Sequence, residues 1–200
     1  MKKKSIVFSI VFSIISLLGI YTLFSEKSVS DVPDITKLIT YEDVLTRSEE
    51  TIDAAIAGNG YGYLKSAIKE GKKIYLGSEI PTYILGDESI QMPGNFKYYP
   101  VFLENEIVGN IIARNVENGQ LTLEFLDIFK EQMNAYHTEC KPVCMFIDKN
   151  SIWLLNEERC TKLFSDNHIS KNLGTFSPEM RENIEVKYSI MEQRDEIVFS

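Results

Sequence analysis

The chain has 200 residues, 44% hydrophobic and 25% charged, with a net charge of -8 at neutral pH. That composition excludes wholesale disorder, and three cysteines are too few for a disulfide-dense scaffold. The acidic balance argues against a nucleic-acid partner, and the length fits one domain, with or without a targeting segment.

The N-terminus sets the expected compartment. Lys2, Lys3 and Lys4 precede an uncharged run from Ser5 to Ser25. Its apolar part, Ile6 to Phe24, spans nineteen residues. As a helix this is about 28 Å, at roughly 1.5 Å per residue, close to the ~30 Å of a bilayer core. Three lysines before the run and a balanced Glu26-Lys27 after it keep the N-terminus in the cytoplasm and send the rest outside. Residues 1–25 therefore read as a signal anchor or a signal peptide. The length favours an uncleaved anchor, since cleaved signals carry shorter apolar regions. The expected location is the cell membrane, single-pass with the C-terminal domain outside, or secreted if the leader is cut. The first cysteine is Cys140, so a lipoprotein anchor is excluded. Ser5, Ser9, Ser13, Ser16 and Gly19 fall on one helical face. Such a face suits close helix approach in a membrane, although serines that merely lower the hydrophobicity of an export signal account for it more simply.

Residues 26–39 are polar at first, hold Pro33, and read as a linker. Residues 31–200 carry 17 basic and 28 acidic residues, so the exported part is more acidic than the whole. Residues 40–165 are expected to form an α+β extracytoplasmic domain, and 166–200 a C-terminal extension that joins the sheet or trails from it.

Thr40 followed by Asp43 predicts a helix start. Tyr41, Val44, Leu45, Ile52, Ala55 and Ile56 then keep helical spacing up to Gly58-Asn59-Gly60. A short helix is predicted over 61–70, closed by Gly71. Strands are predicted over 73–76 and 81–85. A hairpin joins 98–103 to 107–116 across Glu104-Asn105-Glu106, and the alternation of Leu121, Leu123 and Phe125 predicts a half-buried strand. Ile128, Phe129, Gln132, Met133 and Tyr136 share one helical face, with Asp127 as the expected N-cap. A second hairpin, 142–147 with 151–155, is apolar on both faces and is expected at a sheet centre. Late strands are possible over 184–190 and 196–199. The order predicts a mainly antiparallel sheet with helices on one face.

The densest chemical cluster is His137, Cys140 and Cys144, with Cys160 sixteen residues later. Its spacing fits structural zinc poorly, and Cys144 lies in an apolar strand where cysteine behaves as a small hydrophobe. A disulfide between Cys140 and Cys160, which flank the hairpin, fits better. A thiol nucleophile needs an imidazole beside it, and only His137 and His168 are available. Most paired carboxylates sit in polar surroundings; Glu124 and Asp127, flanking Phe125, stand out among them. Gly58-Asn59-Gly60-Tyr61-Gly62 lacks the Lys-Ser/Thr of a phosphate loop and reads as a helix stop. Six tyrosines fall between Tyr61 and Tyr99. Most suit strands, whereas Tyr61 and Tyr63, in a glycine-flanked turn, are the candidate partner-contacting residues.

No protease, lipase, nuclease, deaminase or penicillin-binding signature occurs. The reading is an exported or membrane-anchored non-catalytic domain that binds a protein or cell-envelope partner, with no cofactor and no metal. An anchored accessory or inhibitory subunit of an envelope protease or transporter is a variant of this reading. The alternative is an extracellular thiol-dependent enzyme using Cys140, Cys144 or Cys160 with His137 or His168.

Overall fold

The computed structural model describes residues 38–58, 60–85, 90–91, 96–115, 120–148, 151–165 and 187–199. The expected leader and most of the linker, together with His168, lie outside these residues. No helix among the described residues is long and apolar enough to cross a membrane.

The domain is mixed α+β, with mostly antiparallel pairing and few helices. The N-terminal helical stretch is two helices, α1 (Tyr41–Thr46) and α2 (Ser48–Gly58), not one. Thr40 caps α1 as its spacing predicts, accepting the Asp43 N–H at 3.1 Å. The break at Arg47 has a local cause. The hydroxyls of Thr46, Ser48 and Thr51 each bond back to the carbonyl four residues earlier, at 2.7–2.8 Å. Such back-bonding bends helices. Arg47 meanwhile reaches out to the Leu121 carbonyl at 2.7 Å. A third helix, α3, covers Gly62–Lys69.

The strands form two five-stranded sheets where the sequence suggested one. The first contains β1 (Ile74–Gly77), β4 (Phe96–Leu103), β5 (Glu106–Asn115), β6 (Leu121–Leu126) and β10 (Gln193–Ile197), in the order β10-β1-β4-β5-β6. The second contains β2 (Thr82–Leu85), β3 (Ile90–Gln91), β7 (Cys144–Asp148), β8 (Ser151–Leu155) and β9 (Cys160–Ser165), in the order β3-β2-β7-β8-β9. Its β2–β7 pair is parallel, and every other named pair in both sheets is antiparallel. The β7–β8 hairpin lies inside the second sheet, as its two apolar faces require. Helix α4 (Lys130–Thr138) lies between β6 and β7 in sequence. It begins at Lys130 with Phe129, in the left-handed region at φ 63°, as the N-cap residue. Asp127 is therefore not the cap; it sits at the end of β6, two residues too early.

Side-chain alternation divides the core. One face of the first sheet packs Val101, Ile111 and Phe125 against Val44, Ile52 and Leu64 of the three N-terminal helices. The other face packs Tyr98, Phe102 and Ile112 with Met133 and Tyr136 of α4 and with Met145, Ile152 and Leu154 of the second sheet. The opposite face of the second sheet carries a separate cluster of Tyr83, Cys144, Phe146 and Leu155. Residues 187–197 lace the sheets together. The Lys187 N–H donates to the Tyr83 hydroxyl at 2.6 Å, Ser189 bridges Val143, and β10 then pairs with β1.

Candidate functional site

Tyr61 precedes α3, and Tyr63 lies in its first turn. The Tyr61 ring meets Phe125 of β6 edge-on, with centroids 5.1 Å apart and planes at 76°. Phe125, opposite Ile111, reaches this position because Gly109, two residues along β5, leaves room for its ring: a Cβ there would come within 2.5 Å of it. Tyr61 is thus half core, and its ring is the inner wall of the site. Tyr63 is the outer part, 38% exposed. Its hydroxyl donates to the Val108 carbonyl at 3.0 Å, and the Lys130 ammonium lies 5.3 Å from its ring centroid. A cation at that distance from an aromatic face is attracted to it.

The electrostatics are acidic. Burial raises the pKa of both tyrosines, and the negative charge of Asp127 adds to each shift. Burial likewise raises the Glu124 carboxyl, against the opposing pull of Arg114. Of the two carboxylates that stood out in the sequence, Asp127 acts on both tyrosines, whereas Glu124, on the opposite face of β6 from Phe125, adds only a small contribution at Tyr61. Lys130 is the member of the group that the sequence reading did not single out. Its placement depends on where α4 starts, and the left-handed turn at Phe129 sets that start.

The sulfur and imidazole groups occupy a different region. His137 Nδ1 lies 2.9 Å from the Met191 carbonyl, and its ring meets Phe102 edge-on at 5.1 Å. These contacts fit a histidine that fastens the C-terminal segment to α4. Cys140 follows α4, Cys160 opens β9, and both are exposed, whereas Cys144 is buried. Among the described residues, no three His, Cys, Asp or Glu side chains are grouped as a metal ion would need. A shallow cavity of about 300 Å³ between α2 and α3 is lined by Ile56, Ala57 and Ile68 with Asp53, Lys65 and Lys69. It holds none of the sequence-predicted residues. No protein-family model and no curated protein matches the chain.

Proposed function

We propose that the chain is an exported or membrane-anchored, non-catalytic domain that binds a protein or cell-envelope partner through the surface around Tyr61 and Tyr63. The observation that carries this reading is the state of Tyr63: the residue is 38% exposed, yet its hydroxyl is tied to the Val108 carbonyl. A ring already fixed in place loses little rotamer freedom when a partner covers it. Tyrosine also suits such a role, with a broad apolar face and one polar tip. The nearby carboxylates favour a partner with an apolar contact and basic residues around it. The apolar leader supplies the expectation of export.

The test is a comparative capture from envelope extract with the full chain, wild type against Tyr63→Ala. Tyr61 is left intact because it packs on Phe125. The reading expects one or more proteins recovered by wild type and lost with a correctly folded Tyr63→Ala. Equal recovery by both would refute it.

A further inference from the structure

Helices α2 and α3 meet along the shallow groove on the outside of the domain. Its floor is Ile56, Ala57 and Ile68, and its rim is Asp53 on α2 with Lys65 and Lys69 on α3. The spacing puts each set on one helical face. Asp53, Ile56 and Ala57 follow i, i+3, i+4, and so do Lys65, Ile68 and Lys69. Ile56 and Ile68 are half-buried, and the rest of the lining is exposed.

The charges divide by helix. The charged side chains of α2 are Glu49, Glu50 and Asp53, and those of α3 are Lys65 and Lys69. Part of this division has an internal cause. Glu49 and Glu50 stand in the first turn of α2 and Lys69 in the last turn of α3, where the helix dipole favours them. Asp53 and Lys65 lie outside those turns. Among the described residues, Glu50, Asp53, Lys65 and Lys69 make no ion pair, although the two helices share the groove. Each helix also sets like charges four residues apart, Glu49 with Asp53 and Lys65 with Lys69, and such pairs repel. The face thus holds an apolar centre between an acidic and a basic stripe that leave each other unneutralised.

We propose that the α2–α3 face pairs with the same face of a second copy of the chain. A two-fold axis in the plane of the face runs either across the helices or along them. An axis across them stacks α2 on α2 and α3 on α3, which sets acid on acid and lysine on lysine. An axis along them lays α2 of one copy over α3 of the other. Both stripes then meet their opposites, and Ile56, Ala57 and Ile68 close on their counterparts. Charge selects the second arrangement. At ~1.5 Å per residue α2 is about 16 Å long and α3 about 12 Å, so the pair buries well under the ~1,000 Å² of a tight complex. The dimer is accordingly weak and forms at high local concentration. It stands apart from the Tyr63 reading, since Tyr63 lies about 200° around α3 from Lys65, at ~100° per residue.

The experiment uses the full chain in a mild detergent at about 1 mM, where weak contacts populate. Two double variants are compared with wild type. Glu50→Lys/Asp53→Lys makes the face predominantly basic, and Lys65→Glu/Lys69→Glu makes it acidic throughout. Sedimentation equilibrium measures association, and circular dichroism checks folding. The expected result is a wild-type dimer that weakens in about 1 M salt, where the Debye length falls to ~3 Å. Each variant alone should self-associate at least roughly tenfold more weakly, and an equal mixture of the two should associate at least as tightly as wild type. All the proteins carry the same leader, so association through the leader would leave them alike. In wild type, a carbodiimide that joins carboxylates to amines should link α2 of an isotope-labelled copy to α3 of an unlabelled one. A monomeric wild type, variants that associate like wild type, a mixture no tighter than its components, or links confined to single copies would overturn the proposal.

Discussion

Asn134 on α4 and Ile107 on β5 form a closed pair. The Asn134 carboxamide accepts the Ile107 N–H at 2.8 Å and donates to the Ile107 carbonyl at 2.7 Å. Strand β6 ends at Leu126, opposite Asn110, so it does not extend alongside Ile107. The side chain of Asn134 takes the place of the missing strand and sets how α4 sits against the first sheet. A third bond, to the Lys130 carbonyl at 2.9 Å, fixes the carboxamide on its own helix.

Asn134→Ala should accordingly leave both main-chain groups of Ile107 without their protein partner. A stranded buried group costs about 1–3 kcal/mol, and these are only part-buried, so a loss of about 2 kcal/mol is expected. Thermal unfolding should shift down by about 4–8 °C. Asn134→Asp keeps the acceptor and loses the donor, and should fall between. Differential scanning calorimetry of the three proteins checks the order.

Gly109→Ala should destabilise the domain and disturb the Tyr61 wall together. The new Cβ would lie 2.5 Å from the Phe125 ring and 2.8 Å from the Leu126 carbonyl. Overpacking of this kind costs about 1–3 kcal/mol. Phe125→Leu shortens the obstructing side chain, so the double variant should lose less than the sum of the single losses. Denaturant unfolding of all four proteins measures that coupling.

The Tyr98 hydroxyl is buried between the sheets, 2% exposed as a residue, and has no hydrogen-bond partner among the described residues. Tyr98→Phe removes a desolvated polar atom and leaves the ring packing intact. It should stabilise the fold by about 1 kcal/mol. The same burial holds the Tyr98 phenol well above its ordinary range, and Tyr99 and Tyr41 are raised as well. The folded state therefore keeps protons that the unfolded chain releases. Stability should fall as pH rises through and beyond the ordinary tyrosine range near 10. Circular dichroism melts across alkaline pH check this, with Tyr98→Phe the least affected.

Glu124 gives the corresponding effect in acid. Burial raises its carboxyl, so the folded state binds a proton more tightly than the unfolded chain does. The penalty of this group is absent below the ordinary carboxylate range and develops as pH rises through the raised value. Glu124→Gln should melt above wild type at neutral pH, with the gap closing on acidification below about pH 4. A gap that widens on acidification would contradict the assignment.

Local patterns in the sequence carried much of this fold. Thr40 with Asp43, the turn at Glu104-Asn105, and the alternation from Leu121 to Phe125 are all short-range signals, and the elements follow them. The division into two sheets was not legible. It depends on β2 pairing in parallel with β7 more than sixty residues later, and on β10 returning to β1 from the far end of the chain. No local pattern encodes such partners. The run from Tyr41 to Gly58 kept helical spacing throughout, and only the polar back-bonds around Arg47 divide it. At the site, Tyr61 and Tyr63 were visible from their glycine-flanked turn. The depth of Tyr61 was not, because it depends on the space that Gly109 leaves for Phe125 on a neighbouring strand.

The account turns on Tyr63 facing a partner outside the cell. The most direct measurement replaces Tyr63 with a photo-crosslinking phenylalanine analogue in the full chain, made in the cell that carries the protein. The same analogue at the exposed Lys162 on the second sheet serves as the control. After irradiation of intact cells, the account expects a discrete adduct from position 63, absent from position 162, and degraded by protease added outside. No adduct at position 63, the same adducts from both positions, or an adduct protected from external protease would contradict it.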